Sequence, residues 1–415
     1  MTAPVSHPST FASLRVPEFR RIFVAGLVVF SATTSQVVAR GWLARELTGT
    51  NAGLGGVLLA FGVAMIVTTP VGGVVADRFP KRTVMIVAQM MLLLSTVLVG
   101  VAVSFDVVSY WMVMAMAALQ AMAFAIFGPA RMAFTAELVP APLLTNGIVL
   151  TQMSSEVMKV IGPSIAGLVI AVGPWGLQAV FYGSSVLLVA GTVLTLFLPA
   201  GRPTSTRLRR SAVAEMVDGF RYVRRRSDIL LLVVSLLTVV MIGFPFAALL
   251  PGVADELFGQ GSGGYGILLA VTALGGLAAG LVTARSGPRH DLWRWVQWTG
   301  LGFGAGLVAF GLAPTFLLAS VALLAVGAGN LAFQTTTNSL TLSLTDVDYH
   351  GRVQSLAMLG FGGYGIAALP LGILADAVGL RPTLVGMGAV VLVIMGVFSL
   401  RRRAFRDREL VLDLG

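Results

Sequence analysis

The sequence predicts an all-α membrane protein with twelve transmembrane helices in two pseudo-symmetric six-helix halves. Of its 415 residues, 56% are hydrophobic and only 11% are charged, whereas soluble domains carry about 25% charged residues. The mean hydropathy is +0.90. Twelve apolar segments each approach the roughly 20 residues that a membrane-spanning helix needs. Their predicted cores are 22–44, 52–75, 83–104, 108–129, 144–171, 175–198, 229–251, 263–284, 293–312, 315–343, 352–374 and 381–400.

A long hydrophilic connection, residues 199–228, separates an N-terminal half, 1–198, from a C-terminal half, 229–400. A basic tail, 401–415, follows the second half. The connection has apolar residues at helical spacing with charged residues facing away from them, which predicts an amphipathic helix on the membrane surface. The apolar positions are Val213, Met216, Val217, Phe220 and Val223.

The distribution of Lys and Arg predicts the orientation. With the N-terminus in the cytoplasm, almost all of the 28 basic residues fall on the cytoplasmic side. Only Arg40, Arg45 and Arg381 fall on the outer side, and Lys159 lies within a span. Because short cytoplasmic loops are enriched in Lys and Arg, both termini and the connection are predicted to be cytoplasmic. Basic residues at the ends of the spans favour anionic lipid at the cytoplasmic face over nucleic acid as a partner.

The residue inventory gives no support for an enzyme. There is no cysteine, and the three histidines (His7, His290 and His350) stand far from one another in the sequence. No cluster has metal-ligand spacing, and no phosphate-binding loop or nucleophile elbow is present. The glycine-rich runs 261–266 and 360–365 fit a dinucleotide fingerprint by letter, but neither follows a strand. We therefore predict neither a cofactor nor a metal site.

The loop between the second and third predicted spans carries the most specific motif. It contains Gly73, Asp77, Arg78, Lys81 and Arg82, with Pro80 before the last two. A plain positive-inside loop explains the basic residues but not Asp77 or its spacing from Gly73. The stretch resembles the loop signature of the major facilitator superfamily of transporters, in which Gly is expected at the position of Pro80. Residues 280–289, after span eight, repeat the pattern with Ala284 in place of Asp77.

Further motifs resemble the bacterial exporter branch of this superfamily, which contains enterobactin-type and macrolide exporters. They are Trp42 with 47–50, the run 128–131 with 137–140, Gly162-Pro163 with Gly167, and Asn338 with 351–353. The resemblance implies a substrate bound between the two halves near the membrane midplane. It also implies a bacterial plasma membrane location.

A polar stripe in span five is the candidate for proton coupling. Gln152, Glu156, Lys159 and Pro163 are spaced by helical turns and share one face. A lone charge in mid-membrane costs about 2.5–3.5 kcal/mol on insertion scales, so Glu156 and Lys159 are expected to face the protein interior and to pair. Related exporters tend to have asparagine and arginine at these two positions, so the glutamate adds a group that can take up a proton. A static ion pair that only positions helices is the alternative interpretation.

The superfamily lines its cavity with spans one, four, seven and ten, and polar residues in three of these are substrate candidates, together with Gln152. The alternative for each is a structural hydrogen bond between helices or, for Arg40, a membrane-surface anchor. Span seven has no charge before Asp255, so Met241 and Phe244 are candidate apolar linings. A polar wall facing an apolar one suits an amphipathic organic substrate. The polar candidates are Gln36, Arg40, Gln120, Gln334 and Asn338.

These patterns favour a monomeric secondary transporter that exports a drug or siderophore by alternating access, with protons as the counter-ion. Two alternatives remain: a uniporter or importer of an organic solute, and a non-transporting membrane sensor or scaffold.

The resemblance also implies a gate. Asp77 would lie by the helix N-terminus near Arg352, where a carboxylate gains roughly 0.3–1 kcal/mol. Arg131 is expected to hold Asp77, with Gly73, Arg78 and Arg82 completing the gate.

The topology is testable because the chain has no native cysteine. We expect that Ser205→Cys is labelled by a membrane-impermeant thiol reagent only after the cells are permeabilised. An engineered cysteine at Phe105, in a predicted outer loop, is the matched positive control. Labelling of Ser205→Cys on intact cells would contradict the predicted orientation.

Overall fold

The computed structural model describes residues 11–172, 176–202, 212–285, 291–346 and 349–412. Within these ranges the secondary structure is helical. The helices are α1 Pro17–Thr48, α2 Asn51–Arg78, α3 Lys81–Ser104, α4 Tyr110–Leu138, α5 Leu144–Val172, α6 Gly176–Leu196, α7 Ala212–Arg225, α8 Ser227–Ile242, α9 Phe246–Gly252, α10 Gly261–Arg285, α11 Leu292–Leu312, α12 Phe316–Leu344, α13 His350–Val378 and α14 Leu380–Leu412.

Each predicted span except the seventh coincides with one helix, and α7 falls within the predicted amphipathic connection. In the described residues, ten helical stretches are long and apolar enough to cross a membrane, with Ser227–Leu257 taken as one stretch, and Gly362–Val378 of α13 is a shorter apolar stretch. Helix α11 spans the ninth predicted segment with 21 residues. Its Trp, Gln and Gly residues lower its hydropathy. The chain is therefore an integral membrane protein of the predicted fold class.

The seventh predicted span is broken in the structure. Helix α8 ends at Ile242, a turn follows through Gly243 and Pro245, and α9 passes into a π-helical turn at Val253–Leu257. Proline lacks a backbone N–H and its ring clashes with the preceding turn, so Pro245 and Pro251 explain the interruption. Hydropathy alone had predicted one continuous helix here.

The chain forms two compact units. The first comprises Met1–Ala39, Ala64–Val169 and Gly173–Arg209. Its core is built from large apolar residues of α1, α3 and α4, with Phe19, Met85, Phe127 and Phe134 fully buried. Glycine allows helices to touch here, since a Cβ at Gly72 of α2 would collide with the carbonyl of Ala125 in α4.

The second unit comprises Arg40–Val63, Ile170–Val172 and Arg210–Gly415. The segment Arg40–Val63, which contains the end of α1 and the start of α2, thus packs with the C-terminal residues. Helices α10 and α12 meet backbone to backbone at Gly275 and Gly327, where a Cβ would collide with Leu324 and Thr272. The topological halves 1–198 and 229–400 remain a prediction from the sequence.

Helix α7 is anchored to the second unit at its C-terminal end. Val223 packs in a cluster with Ile229, Val233 and Val353. Tyr222 stacks on Tyr349 with 4.1 Å between ring centroids, and its hydroxyl donates to Asp346 at 3.1 Å. The apolar Val217 and Phe220 stay exposed, as expected of a helix that rests on a lipid surface.

Candidate functional site

Arg131 is a buried cation at the centre of the first unit. Its side chain, near the C-terminal end of α4, is bound by the facing side of α5. Nη1 donates to Ser155 Oγ at 3.0 Å, and Nη2 donates to Ser154 Oγ at 2.7 Å and to the Thr151 carbonyl at 3.3 Å. Nε has no hydrogen-bond partner among the described residues. These contacts tie α4 to α5.

Helix α1 closes over the same guanidinium group. The Arg131 Cζ lies 5.1 Å from the ring centroid of Phe30, which is cation–π distance. A Cβ at Gly26 would collide with the guanidinium atoms, so the glycine provides the space that the arginine occupies. Three helices of the first unit, α1, α4 and α5, therefore meet at one charged side chain.

The Gly162-Pro163 motif in α5 also packs on α1. Thr34 Oγ1 donates to the Met158 carbonyl, and Ser35 Oγ donates to the Gly162 carbonyl, both at 2.9 Å. Pro163 lacks the backbone N–H that would bind the preceding turn, so it weakens α5 at this point. A Cβ at Gly162 would collide with Thr34. The motif fixes the approach of α1 to α5.

The predicted coupling stripe adjoins these hydroxyl residues on α5, since Gln152 and Lys159 are three and four residues from Ser155. Gln152 and Lys159 are exposed, whereas Thr151, Ser154 and Ser155 are buried. Glu156 lies in the same helix, but its side chain is outside the described residues. Helix α5 thus has a buried hydroxyl stripe and an accessible polar stripe. Pairing of Glu156 with Lys159 stays a prediction.

The other predicted cavity residues differ in burial. Gln36 and Arg40 in α1 and Gln120 in α4 are buried, while Gln334 and Asn338 in α12 are half-buried. The two α12 residues are one helical turn apart and share a face. The cavity role of these residues stays a prediction.

The apolar candidates lie at the break between α8 and α9. Phe244 packs edge-on against Phe303 at 5.7 Å, and Phe246 contacts the same ring at 6.3 Å. Phe244 is at the limit of burial, at 9% exposed, whereas Met241 is 37% exposed. Met241 is the more accessible of the two candidate linings, and both assignments stay predictions.

The signature loop is tied to the chain after α6. Arg82 Nη1 donates to the Leu198 carbonyl at 2.9 Å, and Lys81 Nζ donates to the Arg202 carbonyl. Arg78 ends α2 and is exposed. The side chains of Gly73, Asp77 and Arg352 lie outside the described residues, so their gating contacts stay predictions.

A polar cluster at the predicted outer ends of the helices was missed in the sequence. Arg45 forms an ion pair with Glu256 at 2.6 Å and lies 3.6 Å from Asp255. Asn51 accepts from Arg45 at 3.3 Å and donates to Glu256 and Asp376 at 2.8 and 2.9 Å. One feature of the sequence does point to Asp376: it follows Gly372 at the same spacing at which Asp77 follows Gly73.

A family model described as a transmembrane secretion effector matches residues 8–410. The chain belongs to this family of the major facilitator superfamily. The recognised superfamily and its exporter branch are thereby confirmed. Proteins of this superfamily transport small molecules, and many use protons to do so.

Two relatives show the range of the family. The multidrug efflux pump Tap of Mycobacterium tuberculosis (strain ATCC 25618 / H37Rv) is 27% identical over 420 residues, which cover 96% of each chain. The staphyloferrin A transporter of Staphylococcus aureus (strain NCTC 8325 / PS 47) is 24% identical, covering 82% of this chain and 84% of that one.

Solved transporters share the fold at low sequence identity. A bacterial homologue of the human lysosomal transporter Spinster superimposes with a TM-score of 0.72 and 15% identity. The match covers 96% of this chain and 97% of that chain. This likeness supports the fold and not a substrate.

The Gly26–Arg131 contact gives a stability prediction. Gly26→Ala should displace the guanidinium from its serine partners and lower the free energy of unfolding by about 1–3 kcal/mol. In an Arg131→Gln background the same change should cost less, because the colliding atoms are gone. Thermal unfolding of all four proteins in detergent measures this coupling.

The control is Gly183→Ala in α6, where an added Cβ meets no atom within 4 Å. It should leave the melting temperature unchanged. Equal costs of Gly26→Ala with and without Arg131 would show that the glycine does not serve the arginine.

Proposed function

We propose that this chain exports amphipathic small molecules of the drug or siderophore class from a bacterial cell, by alternating access coupled to inward proton movement. The observation that carries the proposal is the contrast between two adjoining stripes of α5. The hydroxyl stripe is fixed to Arg131, while Gln152 and Lys159 beside it are accessible. A side chain that exchanges protons or contacts a substrate has to be accessible, whereas a side chain that only holds two helices together can be buried.

The proposed coupling group is Glu156, three residues before Lys159 in α5. An intramembrane carboxylate marks a proton or substrate path by default, because its cost inside a membrane is hard to justify structurally. In the protonated state Glu156 is neutral and releases Lys159. In the ionised state it attracts Lys159. Binding of a proton to Glu156 therefore changes the charge of the surface that a substrate contacts.

The substrate class rests on two kinds of surface and on the relatives. Polar residues in α4, α5 and α12 contrast with the apolar residues at the α8–α9 break. Such a combination accommodates a molecule with one polar and one apolar side. Two relatives named for a multidrug efflux activity and for a siderophore support the same class.

The proposed inner gate uses Asp77 at the end of α2 and the N-terminus of α13, which begins at His350. The orphan N–H groups of a helix N-terminus attract a carboxylate. Arg131 is the proposed second partner of Asp77. Nη2 uses both of its N–H groups on α5 and Nη1 uses one, so Nε is a donor without a partner among the described residues.

The coupling role is tested by Glu156→Gln. We expect this variant to lose gradient-driven transport and to retain substrate exchange, because the amide keeps the shape of the side chain but does not release a proton. Since Lys159 is exposed, the loss of stability should be small. Transport into proteoliposomes with an imposed pH gradient, beside exchange at equal pH, gives the two readouts.

Glu46→Gln is the matched control, since Glu46 is an exposed carboxylate near the end of α1. It should transport as the unmodified protein does. Undiminished gradient-driven transport by Glu156→Gln would rule out Glu156 as the coupling group.

A further inference from the structure

Asp376 caps the N-terminus of α2 from another helix. Its Oδ1 accepts from the backbone N–H of Asn51 at 2.8 Å and from Asn51 Nδ2 at 2.9 Å. Its Oδ2 accepts from the backbone N–H of Ala52 at 2.9 Å. The carboxylate belongs to the last turn of α13, more than 320 residues along the chain. Both of its oxygens are thus used on the first turn of α2.

This contact has a clear electrostatic advantage. The first N–H groups of a helix have no partner within the helix and carry a partial positive charge. A carboxylate that accepts two of them forms charge-assisted hydrogen bonds, which are stronger than neutral ones. A capping side chain normally comes from the residue before the helix. Here it comes from α13, so the cap joins two helices.

Glycines bring α2 and α13 close enough for this cap. A Cβ at Gly372, one turn before Asp376, would collide with the backbone of Asn51 and Ala52. A Cβ at Gly55 would collide with Ala368, and one at Gly365 with Leu58 and Gly62. Small residues let backbones touch in membrane proteins. The two helices therefore form a seam from the cap to Gly62.

Arg45 and Glu256 brace the same end of the seam. Their ion pair is 2.6 Å long, and the Arg45 side chain is almost fully buried. Asn51 links the pair to the cap, because it accepts from Arg45 and donates to both Glu256 and Asp376. Charge-assisted hydrogen bonds that share one asparagine are geometrically specific, so they favour one arrangement of the helices. The seam therefore ends in a connected network.

The two ends of the α2–α13 pair carry the same sequence element. Helix α2 ends in Gly73-Val-Val-Ala-Asp77, and α13 ends in Gly372-Ile-Leu-Ala-Asp376. Each aspartate lies within two residues of the end of its helix. The predicted topology runs α2 inward and α13 outward, so the two elements lie on opposite sides of the membrane. Helix α2, with 28 residues, is about 42 Å long, so its two ends are far apart.

We propose that Asp376 is an outer latch, the counterpart of Asp77, and that it stabilises the state in which the outer side is closed. The inference rests on the alternating access of the proposed function. When rigid halves rock about a central site, opening one side closes the other. The two latches then alternate: the cap on α2 is formed when the outer side is closed, and it is released when Asp77 engages.

The test uses Asp376→Asn. The amide has the size of the carboxylate but no charge. Its NH₂ group cannot accept a hydrogen bond, so one of the two backbone N–H groups, that of Asn51 or that of Ala52, loses its acceptor. Ala368→Cys, a fully buried seam position in a cysteine-free chain, reports outer opening through an impermeant maleimide on intact cells. We expect Asp376→Asn to raise its labelling rate about three- to tenfold, because the cap no longer holds α2.

Three further variants make the result specific. Asp106→Asn removes an exposed carboxylate from the turn after α3, on the predicted outer side, and should leave the rate unchanged. Asp77→Asn should lower the rate, and the double variant should lie between the two single ones. Gly372→Ala, which pushes α13 off Ala52 without touching the carboxylate, should raise the rate as Asp376→Asn does.

The labelling needs no substrate, so it is independent of what is exported. An unchanged rate in Asp376→Asn overturns the latch, even if gradient-driven export is found. A higher rate in Asp77→Asn also overturns it, because both changes would then merely loosen the protein. The expected pattern in a protein that exports nothing would support the latch and refute the exporter.

Discussion

A polar group inside this protein must find its partner on a neighbouring helix, because the surrounding lipid offers none. The contact of α1 with α5 shows the consequence. The hydroxyl groups of Thr34 and Ser35 bind carbonyl groups of α5 near Pro163, so they fix α1 against α5 where the proline weakens that helix. Arg131 follows the same rule on a larger scale, since its charge is distributed over serines of α5 and an aromatic ring of α1.

Glycine sets where those partners can meet. The guanidinium group of Arg131 occupies the space that a side chain at Gly26 would fill. The lack of a side chain at Gly372 lets α13 approach α2, so that the Asp376 carboxylate reaches the first turn of α2. The two sites differ in what they do. The first joins helices within the first compact unit, whereas the second holds Arg40–Val63 against C-terminal helices in the second unit.

The sequence was sufficient for the helices and the superfamily, since both depend on local patterns: runs of apolar residues, and the Gly-to-Asp spacing of one loop. It was insufficient for contacts between distant segments. Nothing near Arg131 in the sequence indicates its serine partners on the next helix, and Asp376 lies 325 residues from the N–H groups that it caps. The break after α8 was overlooked because hydropathy is insensitive to proline. The spacing of Gly372 and Asp376 is visible in the sequence, but only the structure shows which helix Asp376 caps.

Transport into inverted membrane vesicles tests the central claim most directly. Vesicles with and without the protein would receive a panel of amphipathic fluorescent dyes, with the interior acidified or at equal pH. The account predicts dye accumulation that requires both the protein and the acid interior, and that stops when an ionophore collapses the gradient. Protein-dependent dye movement that persists unchanged without the gradient would contradict proton coupling, and no protein-dependent movement of any dye in the panel would contradict export of this class.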